Sequence, residues 1–431
     1  MSTSPALTSR ALALSVLEQI VAGRELDAAW SLANAHSTLD ERDRSFARTL
    51  VMTTLRHFGS MEAHLATYVK KRPPLRAQLI LLLGMAQMLW LDTPPHAAVD
   101  TSVTLAKTHG MTAASGMVNA VLKRIAQSRE TVKKACKPED NLPVWLRKLL
   151  VAAYGKDCVK QIAEAHLVTP PLDLYCRDAD SRAHWQPLLE ATLLPTGSMR
   201  RDLASNVTSL AGFAEGAWWV QDAASSLPVA LFSSLRGKQA LDLCAAPGGK
   251  TLQMLAAGAQ VTAGDRSAQR LGRVHENLQR MQLSAHVVEA DARSFAPEFT
   301  PDCILLDAPC TATGTLRRHP DVARHRTPAD ITELTALQIV LLEHAWSLLA
   351  AGGELVYCVC SLLPQEAEHH IARFLAQHAD AQVYPIDVEK LGIPNAWITP
   401  EGGLRTLPCY WPEYGGLDGF YAICVKKISP N

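Results

Sequence analysis

The stretch Ala240-Leu-Asp-Leu-Cys-Ala-Ala-Pro-Gly-Gly-Lys-Thr251 decides how this chain is read. An apolar run from Ala240 to Cys244 ends in a turn containing Pro247, Gly248 and Gly249, and a helical pattern opens at Lys250 and Thr251. Strand, glycine turn and helix together form the opening of a nucleotide-binding α/β unit. The glycines let the backbone come close to a ligand, and the helix start points its spare N–H groups at it. The stretch fits neither GxGxxG nor the P-loop spacing, although Gly248 to Thr251 also reads as half a P-loop. The ligand therefore need not carry phosphates, and the rest of the sheet must decide.

Downstream, strand and helix patterns alternate. Strands are expected at Ala240–Cys244, Gln260–Gly264, His286–Ala290, Cys303–Leu306, Glu354–Val359 and Phe420–Val425, with helices such as Ser267–Met281 and Pro328–Leu349 between them. This alternation predicts a doubly wound, mainly parallel α/β sheet of Rossmann-like type over residues 231–431. Ligands of such sheets gather at the carboxyl ends of the strands. Those ends carry Cys244, Asp265, Asp291, Asp307 with Cys310, and Cys358 with Cys360. A single acid there often only caps the next helix. Three acids together with Cys310 and Cys360 on one edge are hard to explain as structure alone.

Upstream, residues 1–135 read as all-helical. Leu12, Val16, Leu17 and Ile20 share one helical face, and Asp40 with Asp43 forms a capping pattern. Prolines at 73, 74, 94 and 95 break the chain around the apolar run Leu79–Leu91, which is too short for the roughly 20 residues of a membrane span. The polar, Lys-rich stretch from Ala126 to Asn141 reads as a linker, and residues 141–230 as a small α/β connecting subdomain. Formal charge is zero overall, but residues 1–140 carry +5, residues 141–230 carry −1 and residues 231–431 carry −4. A basic helical unit on a slightly acidic second unit suits the positioning of RNA, though composition alone does not establish it. Lys70, Lys71, Arg72, Lys123 and Arg124 are candidate phosphate contacts, with a solvated helix face as the alternative. The ten cysteines lack metal-ligand spacing, so free thiols and no bound metal are expected. Met1 to Arg10 shows no signal-peptide pattern, which points to a cytoplasmic protein.

The form Asp242-x-Cys-Ala-Ala-Pro-Gly-Gly-Lys250 resembles motif I of the RNA cytosine-5 methyltransferases that use S-adenosyl-L-methionine. Asp307-Ala-Pro-Cys310 resembles motif IV of that family and Cys358-Val-Cys360-Ser361 its motif VI, with Val359 where the family commonly has Thr. Arg317-Arg318-His319-Pro320-Asp321 follows motif IV and reads as a phosphate-facing loop. Asp418-Gly-Phe-Tyr421 resembles the closing motif that supports the pocket for the target base. Trp218-Trp219 to Ser225 resembles the segment just upstream of the core, with core packing favoured over stacking on bases for the tryptophans. The N-terminal pieces Arg10 to Leu17, Pro95 to Asp100 and Met117 to Arg124 resemble the NusB-like RNA-binding domain.

C5 of cytosine is a poor nucleophile. A thiolate added at C6 makes C5 enamine-like and able to take a methyl group, after which the C5 proton must leave. The site thus needs a thiolate, a partner for N3 and a base, and Cys360, Asp307 and Cys310 are the candidates. The resemblance implies Cys360 as the C6 nucleophile and Cys310 as the thiol that helps eliminate the product. It implies cofactor contacts at Cys244, Ala245, Ala246, Pro247, Gly248, Gly249, Lys250, Asp265, Asp291 and Asp307. Together with the NusB-like domain it implies a 16S rRNA cytosine-C5 methyltransferase; a monomer is expected, and the target base must leave its stack to be attacked. Two alternatives remain at this point: the same chemistry on tRNA or another RNA, and a non-catalytic RNA-binding assembly factor that retains a cofactor pocket. Cys136, Cys158, Cys176, Cys303, Cys409 and Cys424 read as structural, and Cys358 as a small packed core residue.

Overall fold

The structure, a computed structural model, describes residues 5–35, 37–202 and 206–428. Met1 to Ser4, which belong to the stretch read for a signal peptide, lie outside the described residues. Tertiary contacts divide the chain into two units, the first comprising residues up to Val168 together with Leu316–Arg326 and the second comprising Thr169–Thr315 and the chain from Thr327.

The first unit is helical. Its helices run Pro5–Val21, Leu26–Asn34, Glu41–Arg56, Phe58–Leu65, Leu75–Trp90, Pro95–Thr108, Ser115–Gln127, Arg129–Ala135, Val144–Leu167, which is broken by non-helical backbone at Gly155, and the short Val322–His325. Leu75–Trp90 is the central one, because every residue from Ala77 to Leu89 is buried. A helix apolar all round must be wrapped on all sides, and each fully buried Leu or Ile there contributes about 1.5–3 kcal/mol. Gly84 permits a close approach: a Cβ at that position would sit 2.7 Å from Leu122 Cδ1 and 2.9 Å from Ser102 Oγ. Asp40 caps its helix as expected, accepting from the Asp43 N–H at 2.7 Å. The stretch read as a linker is not one. It forms the helix Arg129–Ala135, anchored by buried Val132, and a 3₁₀ turn at Pro138–Asn141. The segment Leu316–Arg326 is built into this unit: Asp321 accepts from the Leu26 N–H at 3.0 Å, and the Arg317 carbonyl accepts from the Arg56 guanidinium at 3.2 Å.

The second unit holds two sheets. Strands β1 (Leu172–Cys176), β2 (Thr192–Leu193), β3 (Met199–Arg201) and β4 (Trp218–Val220) form a small antiparallel sheet in the order β2-β3-β1-β4. Asp173 and Arg200 face each other across β1 and β3, both buried, in a two-pronged pair at 2.6 and 2.7 Å. Trp218 and Trp219 are core residues, as the sequence favoured.

The large sheet contains β5 (Gln239–Leu243), β6 (Gln260–Asp265), β7 (His286–Glu289), β8 (Cys303–Asp307), β9 (Glu354–Val359), β10 (Ala381–Val383), β11 (Leu404–Thr406) and β12 (Phe420–Lys427). The order is β10-β12-β9-β8-β5-β6-β7, with β11 also on β12. Strands β5 to β9 run parallel, whereas β12 is antiparallel to β9, β10 and β11. The Rossmann-like expectation holds, with an antiparallel margin. The apolar runs of β8 and β9 are explained by cover on both faces. No helix among the described residues is long and apolar enough to cross a membrane.

Candidate active site

The first strand end is shaped by its backbone. Cys244 has φ +63° and Gly248 φ +102°, so β5 turns sharply before the helix Gly249–Ala256 begins. The left-handed conformation favours glycine, and Gly248 occupies the helix cap itself. Behind the turn, Asp242 is fully buried and accepts from Thr251 Oγ1 at 2.6 Å. Its other oxygen has no hydrogen-bond partner among the described residues. Burial pushes the Asp242 carboxyl up to about 7, and the carboxylates of Asp307 and Asp265 add to the rise.

Asp265 ends β6. One of its oxygens accepts from the Ala246 N–H at 3.3 Å and the other from Ser267 N–H at 3.0 Å, so it braces the glycine turn from the neighbouring strand. Asp291 follows β7, and the next residue back is tied to this edge by Ala290 N–H to the Asp265 carbonyl at 3.1 Å. The Asp291 carboxylate is gripped by Arg293 through both oxygens, and those hydrogen bonds hold it down to about 2.

Lys250 and Asp307 join the first and fourth strand ends. Lys250 Nζ donates to Asp307 Oδ2 at 2.8 Å and to Ser225 Oγ at 3.0 Å, and it lies 4.9 Å from the Phe420 ring centroid. Burial alone would lower the Lys250 ammonium. Asp307, with the thiols of Cys358 and Cys360, outweighs that and raises it. Cys358, fully buried as the sequence favoured, donates its thiol to Asp307 Oδ1 at 3.6 Å.

The two cysteines singled out by the sequence meet. Cys310 Sγ and Cys360 Sγ are 3.5 Å apart, with Cys310 buried and Cys360 part-exposed. The hydrogen bond to Cys360, together with burial, raises the Cys310 thiol well above its ordinary value, so Cys310 keeps its proton. Gly314 N–H donates to the Cys360 carbonyl at 3.0 Å, and Gly419 N–H donates to the Gly314 carbonyl at 2.8 Å, which links both cysteine loops to the start of β12.

One motif reading needs correction. Arg317 does not face phosphate: it is 1% exposed, and it and Asp321 are buried parts of the helical unit. Of the Arg317 to Asp321 run, only His319 is exposed. In the helical unit, Lys70, Lys71, Arg72, Lys123 and Arg124 are exposed. A groove of about 470 Å³ is lined by Lys70, Lys71, Arg72, Arg124, Tyr68 and Met117. Arg124 stacks 4.9 Å from the Tyr68 ring centroid, and Arg72 already pairs with Glu62 at 2.7 Å. The sequence reading missed Ser225 and Phe420 as partners of Lys250, and it missed Glu366, a buried carboxylate bonded to both cysteine loops. An isolated acid six residues after Cys360 carries no pattern that would have marked it.

Residues 230–426 match the family described as 16S rRNA methyltransferase RsmB/F, and residues 7–127 match the NusB family. The ribosomal RNA small subunit methyltransferase B of Serratia proteamaculans (strain 568) is 35% identical over 433 residues, covering 94% of this chain and 97% of its own. That of Cronobacter sakazakii (strain ATCC BAA-894) is 33% identical over 443 residues, covering 97% and 98%. Among solved structures, PH0851 has a TM-score of 0.79 at 20% identity, covering 99% of this chain and 100% of its own. NSun6 from Pyrococcus horikoshii, solved with SFG, has a TM-score of 0.57 at 19% identity, covering 67% and 99%. These two likenesses concern the fold.

Proposed function

This chain belongs to the RsmB/F family of 16S rRNA methyltransferases, and on that premise we propose that it methylates C5 of a cytosine in 16S rRNA, with Cys360 as the covalent nucleophile and Cys310 as the thiol that completes release. The observation that carries the proposal is the thiol pair, 3.5 Å apart on neighbouring strand ends and beside the Lys250–Asp307 ion pair.

The cofactor, S-adenosyl-L-methionine, supplies an electrophilic methyl group. The residues suit it chemically. Asp265, Asp291 and Asp307 present acceptors, as ribose hydroxyls, an adenine amino group and an ammonium group require. The turn from Cys244 through Ala245, Ala246, Pro247, Gly248 and Gly249 to Lys250 supplies close backbone approach.

Catalysis by the chain's own groups then runs as follows. The Cys360 thiolate adds to C6 of an unstacked cytosine, and the C5–C6 π electrons shift toward C5 and the N3 side of the ring. Asp307, held in place by Lys250, meets that ring edge. C5 takes the methyl group, and the new C5–C bond forms as the methyl–sulfur bond breaks. A base then removes the C5 proton, the C5–C6 double bond re-forms, and the C6–S bond breaks. Cys310, a neutral thiol next to Cys360, gives its proton to the departing sulfur, the proton taken from C5 restores the Cys310 thiol, and Cys360 loses its proton to solvent before the next turnover. The basic groove of the helical unit supplies phosphate contacts that hold the RNA.

The test uses Cys310→Ala protein purified from cells under denaturing conditions. RNA should remain attached through electrophoresis, and sequencing should place it in one segment of 16S rRNA. Cys360→Ala should leave no adduct and no methylation while still binding cofactor. An adduct that carries tRNA would keep the mechanism and overturn the substrate. An adduct from Cys360→Ala alone would reverse the two cysteine roles, and a Cys310→Ala enzyme that turns over freely would remove Cys310 from release.

A further inference from the structure

The parallel ladder between β8 and β9 stops at Asp307 and Cys358, before either paired cysteine. Beyond it the two loops touch directly, through the Gly314 N–H on the Cys360 carbonyl at 3.0 Å and Thr311 Oγ1 at 3.2 Å from Ser361 Oγ, and a fixture outside both loops would hold those contacts and keep the thiols 3.5 Å apart. Glu366 lies where such a fixture would be. It is fully buried, and its backbone is pinned by Tyr357 Oη–H donating to its carbonyl at 2.7 Å.

The Glu366 carboxylate takes up both loops. Oε2 accepts from Thr311 Oγ1 at 2.5 Å and from Ser361 Oγ at 2.5 Å. Oε1 accepts from the Thr311 N–H at 2.9 Å and from Gln338 Nε2 at 3.1 Å. Gln338 Nε2 also donates to the Pro309 carbonyl at 2.8 Å. Thr311 directly follows Cys310, and Ser361 directly follows Cys360. One oxygen atom thus joins the neighbour of each thiol. These four donors are neutral, so the carboxylate is buried without a cation among them, an arrangement costly enough to need compensation by close hydrogen bonds.

We propose that Glu366 is a positioning residue that clamps the Cys310 loop to the Cys360 loop and thereby sets the spacing of the two thiols. Its geometric claim stands on these contacts. Its catalytic consequence rests on the cysteine roles proposed above. With the clamp removed, the thiols separate and the release step slows.

The geometry can be tested without RNA. Diamide oxidises two nearby thiols to a disulfide, and its N=N bond takes up the two hydrogens lost. Native protein should form the Cys310–Cys360 disulfide rapidly, as mapped by mass spectrometry. Glu366→Ala should do so at least about tenfold more slowly, since a displacement of about 1 Å is costly for a proximity-driven reaction. Glu366→Gln should fall between, because its amide nitrogen cannot accept from Thr311 and Ser361. Alkylation of Cys303 and Cys424, buried elsewhere in the unit, should stay unchanged, which a general loosening of the domain would not allow. An unchanged disulfide rate in Glu366→Ala overturns the proposal, and so does faster alkylation of the remote thiols. If Glu366→Ala does not fold, Ser361→Ala removes one arm of the clamp and should slow the disulfide about threefold, and an equal rate overturns the proposal there too. In methylation assays Glu366→Gln should lower kcat and leave KM for RNA within about twofold. A slowed disulfide with no RNA adduct in Cys310→Ala would sink the cysteine roles and spare the clamp. An adduct with a normal disulfide rate would do the reverse.

Discussion

Asp242→Asn should change how stability depends on pH. In the folded chain the Asp242 carboxyl titrates near 7, against an ordinary value of 3.8, because it is fully buried behind the glycine turn. The folded state thus holds a proton that the unfolded state gives up earlier. This group's contribution is complete below about pH 3.8, declines as pH rises, and is gone above about 7. At about 1.4 kcal/mol for each pH unit between the two values, the decline amounts to about 4 kcal/mol. Asparagine has almost the same shape, can still accept from Thr251, and never ionises. Between pH 4 and pH 8 the variant should therefore gain on the native protein by about 4 kcal/mol as an order of magnitude. Urea unfolding of both proteins at pH 4, 6 and 8 reads the difference, in which titrations shared by the two cancel. A difference that stays flat from pH 4 to pH 8 would refute the argument, because it would mean the carboxylate enters the fold without a desolvation cost.

Two further outcomes follow from the same unit. Arg200→Ala strands the buried Asp173 carboxylate and removes the bonds from Arg200 to the carbonyls of Tyr414 and Gly416, at 2.8 and 2.7 Å. It should cost about 3–5 kcal/mol in denaturant unfolding, and a loss under 1 kcal/mol (a loss of about that size suits an exposed pair) would show that water reaches Asp173. Gly314→Ala places a Cβ on the Gly419 carbonyl and must displace the hydrogen bond that holds the Cys360 carbonyl. Methylation should fall at least about a hundredfold while the thermal transition of the helical unit stays where it was, and an active Gly314→Ala enzyme would show that the Cys360 loop tolerates the shift.

What the sequence made legible followed from local signals. The run from Ala240 to Thr251 announced strand, turn and helix because apolar residues, proline and glycine each have a strong local preference. The acids and thiols at strand ends were legible because a parallel sheet collects its ligands there. Strands β10 and β11, three residues each, are too short to show alternation and are held by β12. The stretch from Ala126 to Asn141 looked like a linker because its lysines hide a single apolar anchor, Val132. Arg317 looked like a surface cation because sequence carries charge but not burial. Glu366 was invisible for a related reason: its partners at 311, 338 and 361 meet only in three dimensions.

The helical unit is assembled from two separate pieces of chain, since Leu316–Arg326 belongs to it although 147 residues intervene after Val168. That arrangement has a temporal side. During synthesis at about 5–20 residues per second, those residues take roughly 7–30 s to emerge. For that interval the Leu26 N–H lacks Asp321, and the Arg56 guanidinium lacks the Arg317 carbonyl. The nascent bundle waits unfinished while the sheet-bearing half is being made, and its final sealing is timed by the arrival of the loop that follows Cys310. A protein cut after Val168 would remain at that waiting stage, with an open seam where the later piece belongs.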